Sequence, residues 1–207
     1  MTAVDGRSAR RDRNRDAVID AAIELFDEGV LDPDPDEVAD RCGLSPRSVY
    51  RYFDDREALL RAAIDRHFER VRPLTLIHAI GEGPLDERID RFVDSRVALY
   101  EAVAPSARAA RRRAETSAVV AEQVERTRRA LQEQVERHFA SELEVMGGGD
   151  GDAAATAVDT LCQFEGLHHC RVHRGLSISD TEACLRQALL RLLDPCLVRP
   201  ERPSRKD

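Results

Sequence analysis

The chain has 207 residues and a mass of 23.2 kDa, enough to bury about 70% of the surface an unfolded chain exposes. Hydrophobic residues make up 42% and charged residues 34%, a globular composition that excludes an intrinsically disordered protein. The net charge of −7 excludes indiscriminate nucleic-acid binding over the whole surface but leaves room for a local basic patch.

No apolar run approaches the roughly 18 residues of a membrane span, and no apolar stretch follows the arginines near the N-terminus. The expectation is a cytoplasmic protein without membrane contact. The five cysteines (Cys42, Cys162, Cys170, Cys184 and Cys196) include no CxxC pair and read as reduced thiols. Every basic residue but Lys206 is arginine, so contacts to phosphate would be made by planar forks.

Residues 1–12 read as a disordered basic arm. From about Asn14 to Glu28, Val18, Ala21, Ala22, Leu25 and Phe26 recur at helical spacing, and Gly29 stands where a C-cap belongs. Asp34, Pro35 and Glu37 then form the capping box of a short helix ending at Arg41 or Cys42, before Gly43. The start signal recurs at once, with Ser45 as N-cap and Pro46 at the first helical position. A fourth helix opens near Arg56 and runs to about Arg72, where Pro73 interrupts it.

Longer helices are predicted beyond. One spans Pro84 to Val103, a short piece follows at Ser106–Arg113, and an amphipathic helix runs from about Thr116 to Met146. The glycine run from Gly147 to Gly151 reads as a loop. Two last helices occupy 152–174 and 180–194, the second opened by a Ser179…Glu182 capping box. The chain is therefore all-α, with about nine helices and no stretch of strand pattern.

Helix, glycine turn and second short helix is the arrangement that places a recognition helix in the DNA major groove. Val49 and Phe53, four apart, should point into the core and leave Arg47, Ser48, Tyr50, Arg51 and Tyr52 outward. Taken singly, the aromatics here read as core residues and the arginines as a solvated face. The pattern as a whole says more. Ala21-Ala22-Ile23-Glu24-Leu25-Phe26, Gly29 nine residues before Val38-Ala39, Cys42-Gly43-Leu44-Ser45, Val49-Tyr50-Arg51-Tyr52-Phe53 and Asp55-Arg56-Glu57-Ala58-Leu59-Leu60 follow one another at fixed spacings. Over Val18–Leu60 the chain resembles the N-terminal domain of the TetR family of bacterial transcriptional regulators.

The resemblance implies a three-helix DNA-binding domain over 13–56, an effector-binding and dimerisation domain over 57–196, and a disordered tail over 197–207. It places Pro46, Arg47 and Ser48 toward the groove floor and counts Ser45 among the DNA-binding positions. Arg47 could there hold guanine O6 and N7 bidentately, a contact worth about 1–3 kcal/mol of discrimination. Tyr50 and Tyr52 match positions that touch phosphate or sugar, and Arg56 stands where the family usually has a phosphate-reaching lysine. The implied partners are a double-stranded DNA operator and a small-molecule effector, with a homodimer formed through the last two helices. No cofactor, metal or enzymatic activity is implied.

Charge qualifies this picture. From Asp16 to Asp40 there are ten acidic residues and no basic one, with Asp36 where relatives often have a polar or basic residue. Over Arg7–Arg15 the arginines Arg7, Arg10, Arg11, Arg13 and Arg15 face Asp12 alone, a local +4, and Arg41–Arg56 carries +2. Positive charge thus sits where DNA should lie, and the acidic faces are expected to point to solvent.

In the C-terminal part, Phe68, Phe92, Arg96, Leu99, Tyr100 and Val124 are the candidates to face an effector; the pattern does not separate pocket from core. Arg96 would pair with an anionic ligand or with a carboxylate of its own protein. Ala154, Ala157, Val158, Leu161 and Cys162 on one helix, and Leu185, Leu189, Leu192, Leu193 and Cys196 on the other, would form a four-helix bundle across a two-fold axis. The alternative function is a metal sensor or metal-dependent enzyme using Glu165, His169 and His173, spaced four apart on one helix face. Three such ligands span about 12 Å, too far for one ion, so only adjacent pairs could share a metal.

Overall fold

The first helix, α1 (Ala3–Asp27), is built by a dense apolar stripe: Val18, Ile19, Ala22, Ile23 and Phe26 are almost wholly buried. It ends where the sequence predicts. Gly29 adopts φ +89°, and its N–H and that of Val30 satisfy the carbonyls of Phe26 and Leu25 at 2.8 Å. The helix begins earlier than expected, however. Ala3–Asp12, read from sequence as disordered, is helical, since arginine and alanine are good helix formers and extend a helix nucleated by the buried stripe. The structure, a computed structural model, describes residues 3–30 and 32–194.

In α2 (Pro35–Cys42) the Asp34 carboxylate accepts from the Asp36 N–H at 2.9 Å, and Glu37 accepts from the Asp34 N–H at 2.8 Å. The capping box stands as read. Gly43, at φ +68°, turns the chain into α3 (Pro46–Tyr52). Ser45 does not cap α3 with its side chain; its hydroxyl bonds the Ser48 hydroxyl at 2.9 Å instead. Asp55 caps α4 (Arg56–Val71) by accepting from the Ala58 N–H at 2.7 Å. A 3-10 turn, Arg72–Thr75, follows.

The longer helices depart from expectation at each glycine or proline. α5 (Leu85–Ala114) runs straight through Pro105, where a break was predicted. A proline inside a helix costs about 3 kcal/mol. Burial of Val97 and Tyr100 before it, and of Ser106 and Ala109 after it, offsets that cost. Conversely, the single helix predicted over 116–146 is two, α6 (Ala118–His138) and α7 (Ala140–Met146). The break at Phe139 lets its fully buried ring meet Phe92 edge-on at 5.2 Å, while His138 stacks on Phe92 at 5.7 Å.

The expected glycine loop is largely helix: α8 (Gly148–Cys162) begins inside it. A Cβ on Gly151 would sit 2.6 Å from the Leu143 carbonyl oxygen, so this glycine serves close approach of α7 to α8. The helix predicted over 152–174 stops at an extended Gln163 and resumes as α9 (Phe164–His168) and a π-turn, His169–His173. Finally α10 (Ile178–Leu193) is capped by Ser177, two residues before the predicted Ser179, its hydroxyl accepting from the Asp180 N–H at 3.0 Å. Ten α-helices, and no strand, occur among the described residues.

The chain forms two compact units. One comprises residues 1–73 and 103–125, the other 74–102 and 126–207. These limits are drawn differently from the boundary expected at 56/57, because Leu59, Leu60, Ala63 and Ile64 of α4 share one core with α1, α2 and α3, together with Ala109 and Val120. The second unit has its own core around Phe92, Phe139, Val158, Leu185 and Leu189, and within it the Arg88 guanidinium is paired with Glu142 at side-chain exposures of 4% and 12%.

Candidate nucleic-acid interface

The helix-turn-helix is α2, the Gly43 turn and α3. Val38 and Ala39 of α2 and Val49 of α3 are buried, so each short helix is pinned to the core by one face. That leaves the first turn of α3 outward. Pro46 and Arg47 are exposed, Ser48 is half-buried, and Tyr50 is 58% exposed. Ser45 is exposed beside them.

Tyr52 is not exposed with them. Read from sequence as an outward phosphate contact, its ring is only 9% exposed. Its hydroxyl oxygen accepts from Asn14 Nδ2 at 3.0 Å and from Arg51 Nη2 at 2.7 Å. The hydrogen bond from Asn14, with the nearby Arg51 and Arg10 charges, holds the phenol pKa below its ordinary value against the opposing effect of burial. Tyr52 thus ties the recognition helix to α1. Beside it, the Arg15 guanidinium lies 5.1 Å over the Phe53 ring. Asn14 and Arg15 were missed as partners of α3 because the pairings span 38 residues and no local spacing announces them.

Nor are the acidic faces merely solvated. Arg41 bonds Glu28 at 2.8 and 3.0 Å and also pairs with Glu24, and Arg66 pairs with both Asp16 and Asp20. Asp20 also takes Arg70 at 2.9 Å. Arg56, expected to reach phosphate, lies on Asp32 at 2.9 Å. Asp16, Asp20, Glu24, Glu28 and Asp32 are therefore offset by arginines of the same unit, and two arginines of the Arg41–Arg56 segment are engaged in doing it.

The six effector candidates are divided between the two units. Phe68 and Val124 pack on the core of the first unit, whereas Phe92, Arg96, Leu99 and Tyr100 are buried in the second. Arg96 meets no carboxylate within ion-pair distance among the described residues. Its Nη1 donates to Gln134 at 2.8 Å and its Nη2 to the Leu131 carbonyl at 2.9 Å, with the Phe92 ring 4.5 Å away. Burial lowers its pKa to about 10. Tyr100 meets His168 Nδ1 at 3.0 Å. A groove of about 750 Å³ in the second unit is lined by Val135, Glu136, Leu143, Gly151, Ala155 and Asp159, among others, and by none of the six. It depends on the glycine-mediated approach of α7 to α8, which sequence reasoning read as a loop.

The histidine face does not converge either. Glu165 accepts from Arg128 at 2.7 Å, the His169 and His173 rings are 5.8 Å apart, and no three potential ligands gather among the described residues. The break at Gln163 and the π-turn have removed the straight helix on which that alternative rested. Of the two apolar stripes expected at a dimer interface, Ala154, Val158 and Cys162, and Leu185, Leu189 and Leu193, are already buried within the unit. Ala157, Leu161 and Leu192 are half-buried, and Cys196 lies outside the described residues. Burial pushes the Cys162 thiol up to about 12.

A protein made of helices, with a helix-turn-helix whose second helix presents an arginine and polar groups to solvent, is of the DNA-binding class. Residues 18–63 match the model of the bacterial regulatory proteins of the tetR family. An uncharacterized HTH-type transcriptional regulator of Mycobacterium tuberculosis is 40% identical over 75 residues, 34% of this chain and 36% of that protein. The HTH-type transcriptional regulator BetI of Escherichia coli is 31% identical over 83 residues, 39% of this chain and 43% of that protein. The match thus spans less than half the length of these relatives. A crystal structure of a tetR-family transcriptional regulator from Streptomyces coelicolor shares the fold, with a TM-score of 0.68 and 23% identity over 87% of this chain and 80% of that one. The match makes residues 18–63 a DNA-binding domain of the tetR type. No helix among the described residues is long and apolar enough to cross a membrane.

Proposed function

We propose that this protein is a dimeric, ligand-responsive transcriptional regulator of the cytoplasm, a repressor released from a palindromic operator by a small molecule. The observation that carries the reading is the outer surface of α3: Ser45, Pro46, Arg47, Ser48 and Tyr50 stand clear of a core that holds the helix by Val49 and Tyr52. Each recognition helix would enter one major groove, with half-sites one helical turn or a multiple apart. Dimerisation is assigned to α8 and α10, through the residues their internal packing leaves half-buried or exposed. The groove of about 750 Å³ in the second unit is of a size that holds a small molecule, which supports the effector half of the reading. An effector would act by its different affinity for the DNA-competent and released states. No chemical step is part of this reading.

The test is binding of the purified protein to fragments selected from a random-sequence library, against a scrambled duplex, over a salt series. Enrichment of a palindrome protected on two symmetric half-sites supports the reading. Equal, salt-independent or absent binding to selected and scrambled DNA overturns it.

A further inference from the structure

Resting on the DNA-binding reading above, we propose that Asp32 is a positioning residue for DNA contact. Its carboxylate sets the guanidinium of Arg56 and shares that task with Arg113. Arg56 is the first residue of α4, with a side chain 45% exposed. Among the described residues its Nη2 alone makes contacts: the Asp32 carbonyl at 2.5 Å, the Pro33 carbonyl at 3.2 Å and Asp32 Oδ1 at 2.9 Å. One edge of the fork is thus anchored on the turn between α1 and α2, and Nε and Nη1 take no partner among the described residues and can meet a phosphate. An arginine already held in one rotamer loses less freedom when it meets its anion.

The other carboxylate oxygen is taken from a different direction. Asp32 Oδ2 accepts from Arg113 Nη2 at 2.9 Å, and Arg113 Nη1 donates to Thr116 Oγ1 at 2.6 Å. Arg113 Nε is buried without a hydrogen-bond partner among the described residues, while its Nη2 is spent on the carboxylate. The same turn touches α5 a second time, since a Cβ on Gly29 would lie 3.8 Å from the Pro105 carbonyl. One carboxylate therefore joins the start of α4 to the last turn of α5 inside a single compact unit. With two guanidiniums on one carboxylate, the cluster keeps a net positive charge, which suits a phosphate neighbour.

A purely repulsive role for Asp32 makes the opposite prediction, so the two can be separated. Affinity for the selected operator and for a scrambled duplex is measured at several salt concentrations for wild type, Asp32→Ala, Asp32→Asn, Arg56→Ala, Arg113→Ala and the double variants. Positioning predicts a loss of about 3- to 10-fold on both duplexes for Asp32→Ala, with a smaller loss for Asp32→Asn, which keeps one acceptor. Arg56→Ala should lose as much and lower the salt slope by about one phosphate contact. Asp32→Ala added to Arg56→Ala should lose nothing further, and Arg113→Ala should weaken binding about 2-fold only while Asp32 is present. Unfolding curves and oligomeric state are recorded alongside, and if Asp32→Ala fails to fold, the Asp32→Asn and Arg113→Ala arms carry the comparison. Tighter binding and a steeper salt slope in the Asp32 variants, unchanged affinity, or losses that add independently overturn the proposal. A wild type that binds no DNA overturns the regulator reading itself, a distinct outcome.

Discussion

The first four helices and the last three use glycine in opposite ways. Around α2 and α3, glycine bends the chain: Gly43 at φ +68° has nothing within 4 Å of where a Cβ would be, and it marks a real helix end. In α8 and α9, glycine narrows the space between helices. A Cβ on Gly166 would lie 2.3 Å from the Leu161 carbonyl oxygen, and one on Gly151 would lie 2.6 Å from that of Leu143. The same residue type is punctuation at Gly43 and packing at Gly151 and Gly166. Local sequence distinguishes the two poorly, because a backbone conformation is a neighbour effect and a close approach is a tertiary one.

The strongest way to test this contrast lies in the second core. Glu142→Leu would leave Arg88 buried without its ion-pair partner, and a loss of about 3–5 kcal/mol is expected in denaturant unfolding. A loss below 1 kcal/mol would mean that the carbonyls of Gly83 and His138, which also accept from Arg88, suffice for it. Next in size is the glycine pair itself. Gly166→Ala should cost about 3 kcal/mol, since backbone oxygens cannot move aside cheaply. Gly43→Ala, strained in φ alone, should cost about 1 kcal/mol. Equal costs would erase the distinction between the two uses.

On the DNA side, Arg47→Ala should lose about 2 kcal/mol of discrimination between selected and scrambled duplex, with dimerisation unchanged. If both duplexes lose affinity alike, Arg47 touches phosphate only. The smallest effect is a pH dependence confined to the second unit. His138 Nδ1 accepts from the Gly81 N–H at 3.1 Å, so Nε2 carries the proton and meets the Arg88 carbonyl at 2.9 Å. Burial first, and then the charges of Arg88, Arg91 and Arg96, lower its pKa, against the pull of that carbonyl. A depressed histidine pKa contributes stability above its unfolded value and loses it as pH falls through the folded one. The melting temperature should therefore fall more steeply below about pH 6.5 in wild type than in His138→Gln. Parallel curves would show that another group, such as the similarly depressed His67, governs acid sensitivity.

Legibility followed the range of the interactions. The Asp34 and Glu37 capping box, the Gly29 and Gly43 stops and the outward first turn of α3 all rest on contacts a few residues apart, and periodicity and cap chemistry are enough to read them. Tyr52 was misplaced because its hydrogen bond to Asn14 crosses 38 residues, and a tyrosine beside an arginine at a helix end satisfies either surface or core. Pro105 and Phe139 were exchanged for similar reasons. Proline predicts a break and phenylalanine none, yet burial along α5 outweighed the one, and aromatic packing around Phe92 imposed the other.

The sequence by itself determined that the protein is all-helical, that it carries a helix-turn-helix over about residues 35–52, and that its N-terminal part resembles the DNA-binding domain of the TetR family, because cap residues, helical periodicity and fixed motif spacings are properties of neighbours. Tertiary structure alone decided which carboxylates neutralise which arginines, that Tyr52 anchors the recognition helix, and where the groove of the second unit opens. Those are choices among partners as far apart in sequence as Asp32 and Arg113, and they are settled by which cores the apolar faces build.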